Sequence, residues 1–212
     1  MSDASPESYP VPRQAAAAEL RERGSRFLAR LHPAGDEKEA RRILEATAAE
    51  HPGASHHCWA WRLGWPPRER SHDAGEPSGT AGPPILRALQ GAGLSDVLLL
   101  VIRWFGGTKL GRGGLVRAYG DAARAAIGEA RVGRRLQRRR LRLRLPYAET
   151  GALERLVDPP ELEVVASRYG ADVDLVLAVT PSRLPALEEL AARRGLSLSF
   201  VEPSLEDEDG PE

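Results

Sequence analysis

Cysteine is almost missing from this 212-residue chain; Cys58 stands alone. A single thiol excludes an internal disulfide framework and suits a reducing cytosol. Lysine is nearly as scarce, with arginine outnumbering it by 28 to 2. One of the two is Lys109, inside a glycine-rich stretch, where a compact ammonium does a different job from a planar guanidinium. Net charge is missing too, since 30 cationic side chains meet 30 acidic ones. Bulk charge therefore selects no polyanionic partner; only its distribution can. No apolar run approaches the ~20 residues that span a bilayer. Val97–Ile102 is only six residues long, so no membrane association is expected. The opening MSDASPESYP has neither a basic start nor an apolar core. It does not read as a secretory signal, and a cytoplasmic protein is expected.

What the chain does have is glycine in two loops. The first is Gly75–Gly82 (GEPSGTAG) and the second is Gly106–Gly114 (GGTKLGRGG), with an apolar strand, Val97–Arg103, between them. Glycine at this density permits positive φ and lets backbone N–H groups face outward. A helix that starts after such a loop adds unpaired donors and a partial positive charge, which suits an anion. Lys109, Arg112 and Arg117 add full charges. Three known phosphate patterns do not fit. GxxxxGK[ST] is absent, because Thr108 and not glycine precedes Lys109. GxGxxG fails at Val116, where its third glycine should stand. Gly111-Arg112-Gly113-Gly114 has GxxG spacing, but a KH loop joins two helices and this one joins strand to helix.

Taken in order, residues 1–8 read as a flexible tail and Tyr9–Pro12 as an extended edge segment. Residues 18–31 read as one strand interrupted at Gly24. Asp36 and Glu39 have capping-box spacing for a helix from Glu37 to about Glu50, burying Ala40, Ile43, Leu44 and Thr47. His56–Leu63 reads as a strand with Cys58, Ala60 and Arg62 on one face and His57, Trp59, Trp61 and Leu63 on the other. Residues 64–74 read as polar loop. Ala81–Gln90 and Leu115–Arg131 read as helices around the buried strand Val97–Arg103. The first half is thus an α/β sandwich of βαβαβα kind. From Gly133 the pattern changes. Arg140 to Leu145 alternates arginine and leucine, a strand with leucine inward. A helix over 149–157, strands over 161–168 and 172–180, a helix over 182–194 and a strand over 196–201 follow. That order, βαββαβ, is the ferredoxin-like split motif. The expected class is α+β in two domains, residues 9–132 and 137–202, with 203–212 as a second flexible tail.

The stretch GEPSGTAG, followed by IRWFGGTKLGRGGLVRAY, resembles the signature of the IMPACT/YigZ family. The likeness extends to Ser25-Arg26-Phe27 and to Ala54–Arg62. It covers residues 9–130 strongly and the remainder by layout. The chain departs from the usual Asp-Asp-Gly-Glu-Pro at Ala74, losing one carboxylate, and has Trp104 where tyrosine is common. The resemblance implies an N-terminal domain like domain 2 of ribosomal protein S5. It also implies a C-terminal ferredoxin-like domain similar to one in translation elongation factors. Eukaryotic relatives are translational regulators of the amino-acid starvation kinase pathway. They use an additional N-terminal protein-binding domain that is not expected here, so that partner is not carried over.

Between residues 100 and 145 there are thirteen arginines and lysines and two acids. A basic stripe is the electrostatic footprint that nucleic-acid binding needs. The anion- or nucleic-acid-binding candidates are Arg103, Lys109, Gly111, Arg112, Gly113, Gly114, Arg117, Arg140, Arg142 and Arg144. Trp104 and Phe105 are placed either to stack bases or to fill the core. The acidic segment 202–212 offsets the basic middle. Glu76, Ser78 and Thr80 form a polar loop, in which Ser78 and Thr80 suit helix capping. Glu76 is the one catalytic candidate, and a general acid/base role would need a partner the sequence does not name. His56 and Cys58 share a strand face, but two ligands are not a metal site; His72, Asp73 or Glu76 would have to complete it. No metal and no cofactor are expected. The expected function is RNA binding linked to translation or its regulation. The alternatives are an enzyme acting on a small phosphorylated or nucleotide substrate between the two loops, and a protein-interaction module.

Overall fold

In the computed structural model, which describes residues 7–201, the chain divides into two compact units. One comprises Tyr9–Arg135; the other begins at Leu136 and, of the described residues before Tyr9, takes in Glu7 and Ser8. The expected tail 203–212 and most of 1–8 lie outside the described residues. Among the described residues no helix is long and apolar enough to cross a membrane.

The first unit is built on an antiparallel sheet of five strands. These are β2 (Ala16–Glu22), β3 (Ser25–Pro33), β4 (His56–Leu63), β5 (Arg68–His72) and β6 (Val97–Trp104), in the order β2-β3-β6-β4-β5. Three helices, α1 (Glu37–Glu50), α2 (Gly82–Gly91) and α3 (Gly111–Gly128), cover it. The central strand β6 is apolar from Val97 to Ile102 because both of its faces are covered. Val97, Leu99 and Val101 join Cys58, Ala60, Phe27 and Tyr119 in a core under α2 and α3. Leu98 and Leu100 join Trp61, Leu63 and Ala40 in a second core under α1. The α1 cap is as the spacing predicts: Asp36 Oδ1 accepts from the Glu39 N–H at 2.6 Å, while Glu39 reaches back to the Gly35 N–H at 2.8 Å.

Several local expectations change. The single strand over 18–31 is a hairpin. Arg23 and Gly24 both take positive φ, 46° and 80°, in a two-residue turn whose twist matches the strands it joins. Arginine is not the usual residue there, so the turn is hidden. Residues 64–74 are not all loop: β5 lies at the sheet edge, where it carries charge on both faces and shows no apolar alternation. The connectivity is therefore two hairpins interleaved with helices, not a simple βαβαβα. Helix α3 begins at Gly111, four residues before the expected start, so half of the second glycine loop is helix. A strand that was not expected, β7 (Val132–Leu136), pairs with β1 (Ser8–Pro12).

The second unit is ferredoxin-like. Strands β8 (Arg139–Leu145), β9 (Leu162–Tyr169), β10 (Val173–Val179) and β11 (Ser197–Phe200) form a fully antiparallel sheet in the order β11-β8-β10-β9. Leu141, Leu143 and Leu145 of β8 pack with Leu175, Leu177, Leu153 and Leu187. Leu153 comes from α4 (Thr150–Glu154) and Leu187 from α5 (Leu184–Arg194), so the helices cover that face. The helix expected over 149–157 is one short turn of 3-10 helix, Tyr147–Glu149, running into α4.

Candidate nucleic-acid interface

The two glycine loops of the first unit meet. Arg112, in the first turn of α3, donates from Nη2 to the Ser78 carbonyl at 2.8 Å and so ties the second loop to the first. The loops have different internal supports. Asp73 accepts from the N–H groups of Gly79, Ala81 and Gly82 at 2.8–2.9 Å, closing the first loop and capping α2. Burial works to raise the Asp73 pKa, but these three donors outweigh it and hold the carboxyl below its usual range. Capping thus falls to Asp73; Thr80 donates to the Pro77 carbonyl, and Ser78 is exposed. In the second loop, Gly106 lies so close to Gly24 that a Cβ would sit 1.9 Å from the Gly24 carbonyl carbon. The N–H groups of Phe105 and Gly106 are bound by Ser55 and Ser25. This part of the loop is packing. Gly111 and Gly113 are different: a Cβ on either would meet nothing, and α3 has no side-chain N-cap. Lys109 and Arg117 are exposed beside them. Arg117, Arg23 and Leu110 help line a concavity of about 250 Å³.

Arg103 is not on this surface. It is the only charged residue of β6, and its strand position aims it into the core, where it is 5% exposed. Its Nη1 donates to Glu76 Oε1 at 2.6 Å and its Nη2 to Ser25 Oγ at 3.2 Å. Tyr119 donates its hydroxyl to the same Glu76 oxygen at 2.8 Å. Glu76, the catalytic candidate, is thus a buried counter-ion that joins the first loop to β6 and α3. His56 Nε2 approaches it at 3.7 Å, while His56 Nδ1 faces the Ala74 carbonyl at 2.9 Å. Cys58 is fully buried and donates to the Asp73 carbonyl. Burial pushes its thiol up to about 12, and the neighbouring Tyr119 phenol is also raised by burial. A thiol held neutral is a poor nucleophile and a poor metal ligand. No group of three or more His, Cys, Asp or Glu side chains gathers as a metal site among the described residues. Trp104 and Phe105 divide: Trp104 is half-buried under the Arg26 guanidinium, and Phe105 is exposed.

The second unit carries a row of arginines on one face of its sheet. Because β8 alternates, Arg140, Arg142 and Arg144 all leave the sheet on the face away from the leucines. They lie opposite Ala178, Val176 and Asp174 of β10, with Ser197 and Ser199 of β11 on the other side. Arg168 of β9 stands across from Asp174 and extends the row. Arg142, Arg168, Ala166, Ser167 and Val176 line a shallow groove of about 220 Å³. Arg144 pairs with Asp172 at 3.0 Å, whereas Arg142 and Arg168 make no ion pair among the described residues. Arg168 was not among the sequence candidates. Only the β9–β10 register puts it beside the arginines of β8.

Comparison with known proteins places the chain. Residues 23–127 match the Impact N-terminal domain and residues 143–194 match a domain of unknown function, DUF1949. An IMPACT family member of Thermus thermophilus is 39% identical over 175 residues, covering 80% of this chain and 95% of the relative. The chain belongs to the IMPACT family. Its Escherichia coli member YigZ is 34% identical over 163 residues, 76% of this chain and 80% of YigZ. A crystal structure of a hypothetical protein superposes with a TM-score of 0.73 at 31% identity, covering 94% of this chain and all of the other. Ala74, where the chain departs from the resemblance, takes φ 45°, a left-handed conformation that alanine adopts rarely.

Proposed function

We propose that this IMPACT protein binds RNA in the cytoplasm in connection with translation or its regulation, chiefly through the arginine face of its C-terminal sheet. The observation that carries the reading is the line Arg140, Arg142 and Arg144 on the uncovered side of β8, widened by Arg168. Folding does not require these side chains, because the leucines between them supply the core. Alternate residues of a strand are about 7 Å apart, so the guanidiniums form a regular row that suits a phosphate backbone. Arginine presents a planar fork that grips phosphate oxygens in pairs. Most neighbours on that face are small (Ala166, Ala178, Ser197 and Ser199), with Val176 opposite Arg142 and Asp174 between Arg144 and Arg168, and the arginines of the row are exposed. No aromatic ring stands in the middle of this face. Contacts there fix position on the backbone and do not read bases, so binding should vary little with sequence. Lys109, Arg112 and Arg117, with the open first turn of α3, are a second contributor from the first unit. The link to translation rests on the family resemblance.

Fluorescence anisotropy with single-stranded RNA at several salt concentrations tests the reading. Each phosphate contact should contribute about −0.7 to the slope of log affinity against log salt. The Arg142→Ala/Arg144→Ala/Arg168→Ala variant should flatten that slope by about two units. Lys109→Ala/Arg117→Ala should flatten it less. Absence of binding by the unaltered protein at ~50 mM salt, where such contacts are strong, overturns the proposal.

A further inference from the structure

We infer that the acidic segment 202–212 of this same chain is an internal competitor that occupies the arginine face of the C-terminal sheet. Its geometry stands independently, but its consequence rests on the RNA-binding reading above. The segment, EPSLEDEDGPE, lies beyond the last described residue, Val201. It carries six acidic side chains (Glu202, Glu206, Asp207, Glu208, Asp209 and Glu212) and no cation.

Three observations select the face it meets. The first is the point of departure. Strand β11 runs antiparallel to β8, with Phe200 opposite Leu141, and the Val201 N–H donates to the Arg140 carbonyl at 3.0 Å. The chain therefore leaves the sheet directly beside the arginine row. The second is reach. Eleven residues extend to at most about 35–40 Å. Crossing from β11 over β8 and β10 to β9 takes three strand spacings, about 15 Å. Arg142, Arg144 and Arg168 are all within that span. The third is complementarity. Arg142 and Arg168 make no ion pair among the described residues, and the groove between them is lined otherwise by Ala166, Ser167, Asp174, Leu175 and Val176. Carboxylates are the other class of anion that a guanidinium fork fits.

Tethering makes even weak attraction effective, because a segment joined by a few residues acts at a local concentration in the millimolar range. RNA would then bind only by displacing the segment. Both interactions are screened by salt, but the competitor matters most where its own contacts are strongest, at low salt. A chain ending at Val201 should therefore bind single-stranded RNA about tenfold or more tightly than the full chain at ~50 mM salt. The gap should close as salt rises.

The test compares three proteins: the full chain, the chain ending at Val201, and a full-length variant with Glu206→Gln, Asp207→Asn, Glu208→Gln and Asp209→Asn. Two readouts are used, RNA anisotropy and the nuclear magnetic resonance shifts of the Arg142 and Arg168 side-chain Nε–H groups. The neutralised variant leaves β11 intact, so its shifts report charge and not the loss of a neighbour. The inference expects its Arg142 and Arg168 resonances to move to the positions seen in the shortened chain, and its RNA affinity to rise with that chain's. Unchanged resonances at ~50 mM salt overturn the inference, whatever happens to RNA. Shifted resonances with equal RNA affinity in all three proteins overturn the competition. If none of the three binds RNA, the RNA reading falls, and the resonance shifts alone decide whether the segment occupies the face.

Discussion

Glu76, the catalytic candidate, and Arg103, an anion-binding candidate, are each other's partners inside the first unit. Both are nearly buried, and they face each other at 2.6 Å. Removing one partner leaves the other charged in a low-dielectric site, a loss of about 3–5 kcal/mol. Glu76→Ala should therefore lower stability by that amount, read as a shift of the urea midpoint. The double variant Glu76→Leu/Arg103→Met should retain more stability than either single one, because no unpaired charge remains. A residual RNA affinity close to normal in the double variant would confirm that the pair supports the fold and does not touch the ligand.

At the scale of the element, helix α2 depends on an anchor outside itself. Ala81 cannot cap it, and Pro83-Pro84 gives up donors in its first turn. Asp73 supplies the missing acceptor across the first loop, with three N–H groups converging on its carboxylate. Its folded pKa is lowered, so the ionised form is the one that folding favours. The resulting stabilisation is complete above the ordinary carboxyl value of about 4 and is lost as pH falls through the lowered folded value. Asp73→Asn should lower stability at neutral pH. It should also lose less stability than the parent between about pH 4 and pH 2. Urea midpoints measured across that range check the sign.

At the scale of the whole molecule, there are two units with separate cores. The leucine core of the C-terminal unit contains no residue of the sheet β2-β3-β6-β4-β5. Leu143 is fully buried there on the middle of β8. Leu143→Ala should cost that unit about 2–5 kcal/mol. Amide exchange should accelerate in β8, β9, β10 and β11 while protection in β3, β4 and β6 persists. Equal acceleration in both sheets would show that the units unfold as one. Charge is likewise divided at this scale: the chain is neutral as a whole, yet it concentrates arginine on one sheet face and acid in residues 202–212.

Periodicity carried much of this architecture because it reports on the two environments a strand or helix faces. The alternation in Arg140–Leu145 was enough to place leucine inward and arginine outward, and the order of elements after Gly133 was enough for the ferredoxin-like motif. The capping pair Asp36 and Glu39 needs only neighbours three residues apart, so it was legible too. The Arg23-Gly24 turn and the edge strand β5 were not, because positive φ at an arginine and a polar strand leave no pattern in composition. The site divided in the same way. The charges of Lys109, Arg112, Arg117, Arg140, Arg142 and Arg144 could be read from the sequence. That Arg103 is spent on Glu76, that Gly106 is packed against Gly24, and that Arg168 joins the row of β8 depend on contacts between residues distant in the chain. Sequence alone determined which residues carry charge and which local face each occupies. Only the tertiary structure decided which of those charges neutralise one another inside the fold and which are left facing solvent, because pairing is set by strand register and helix placement.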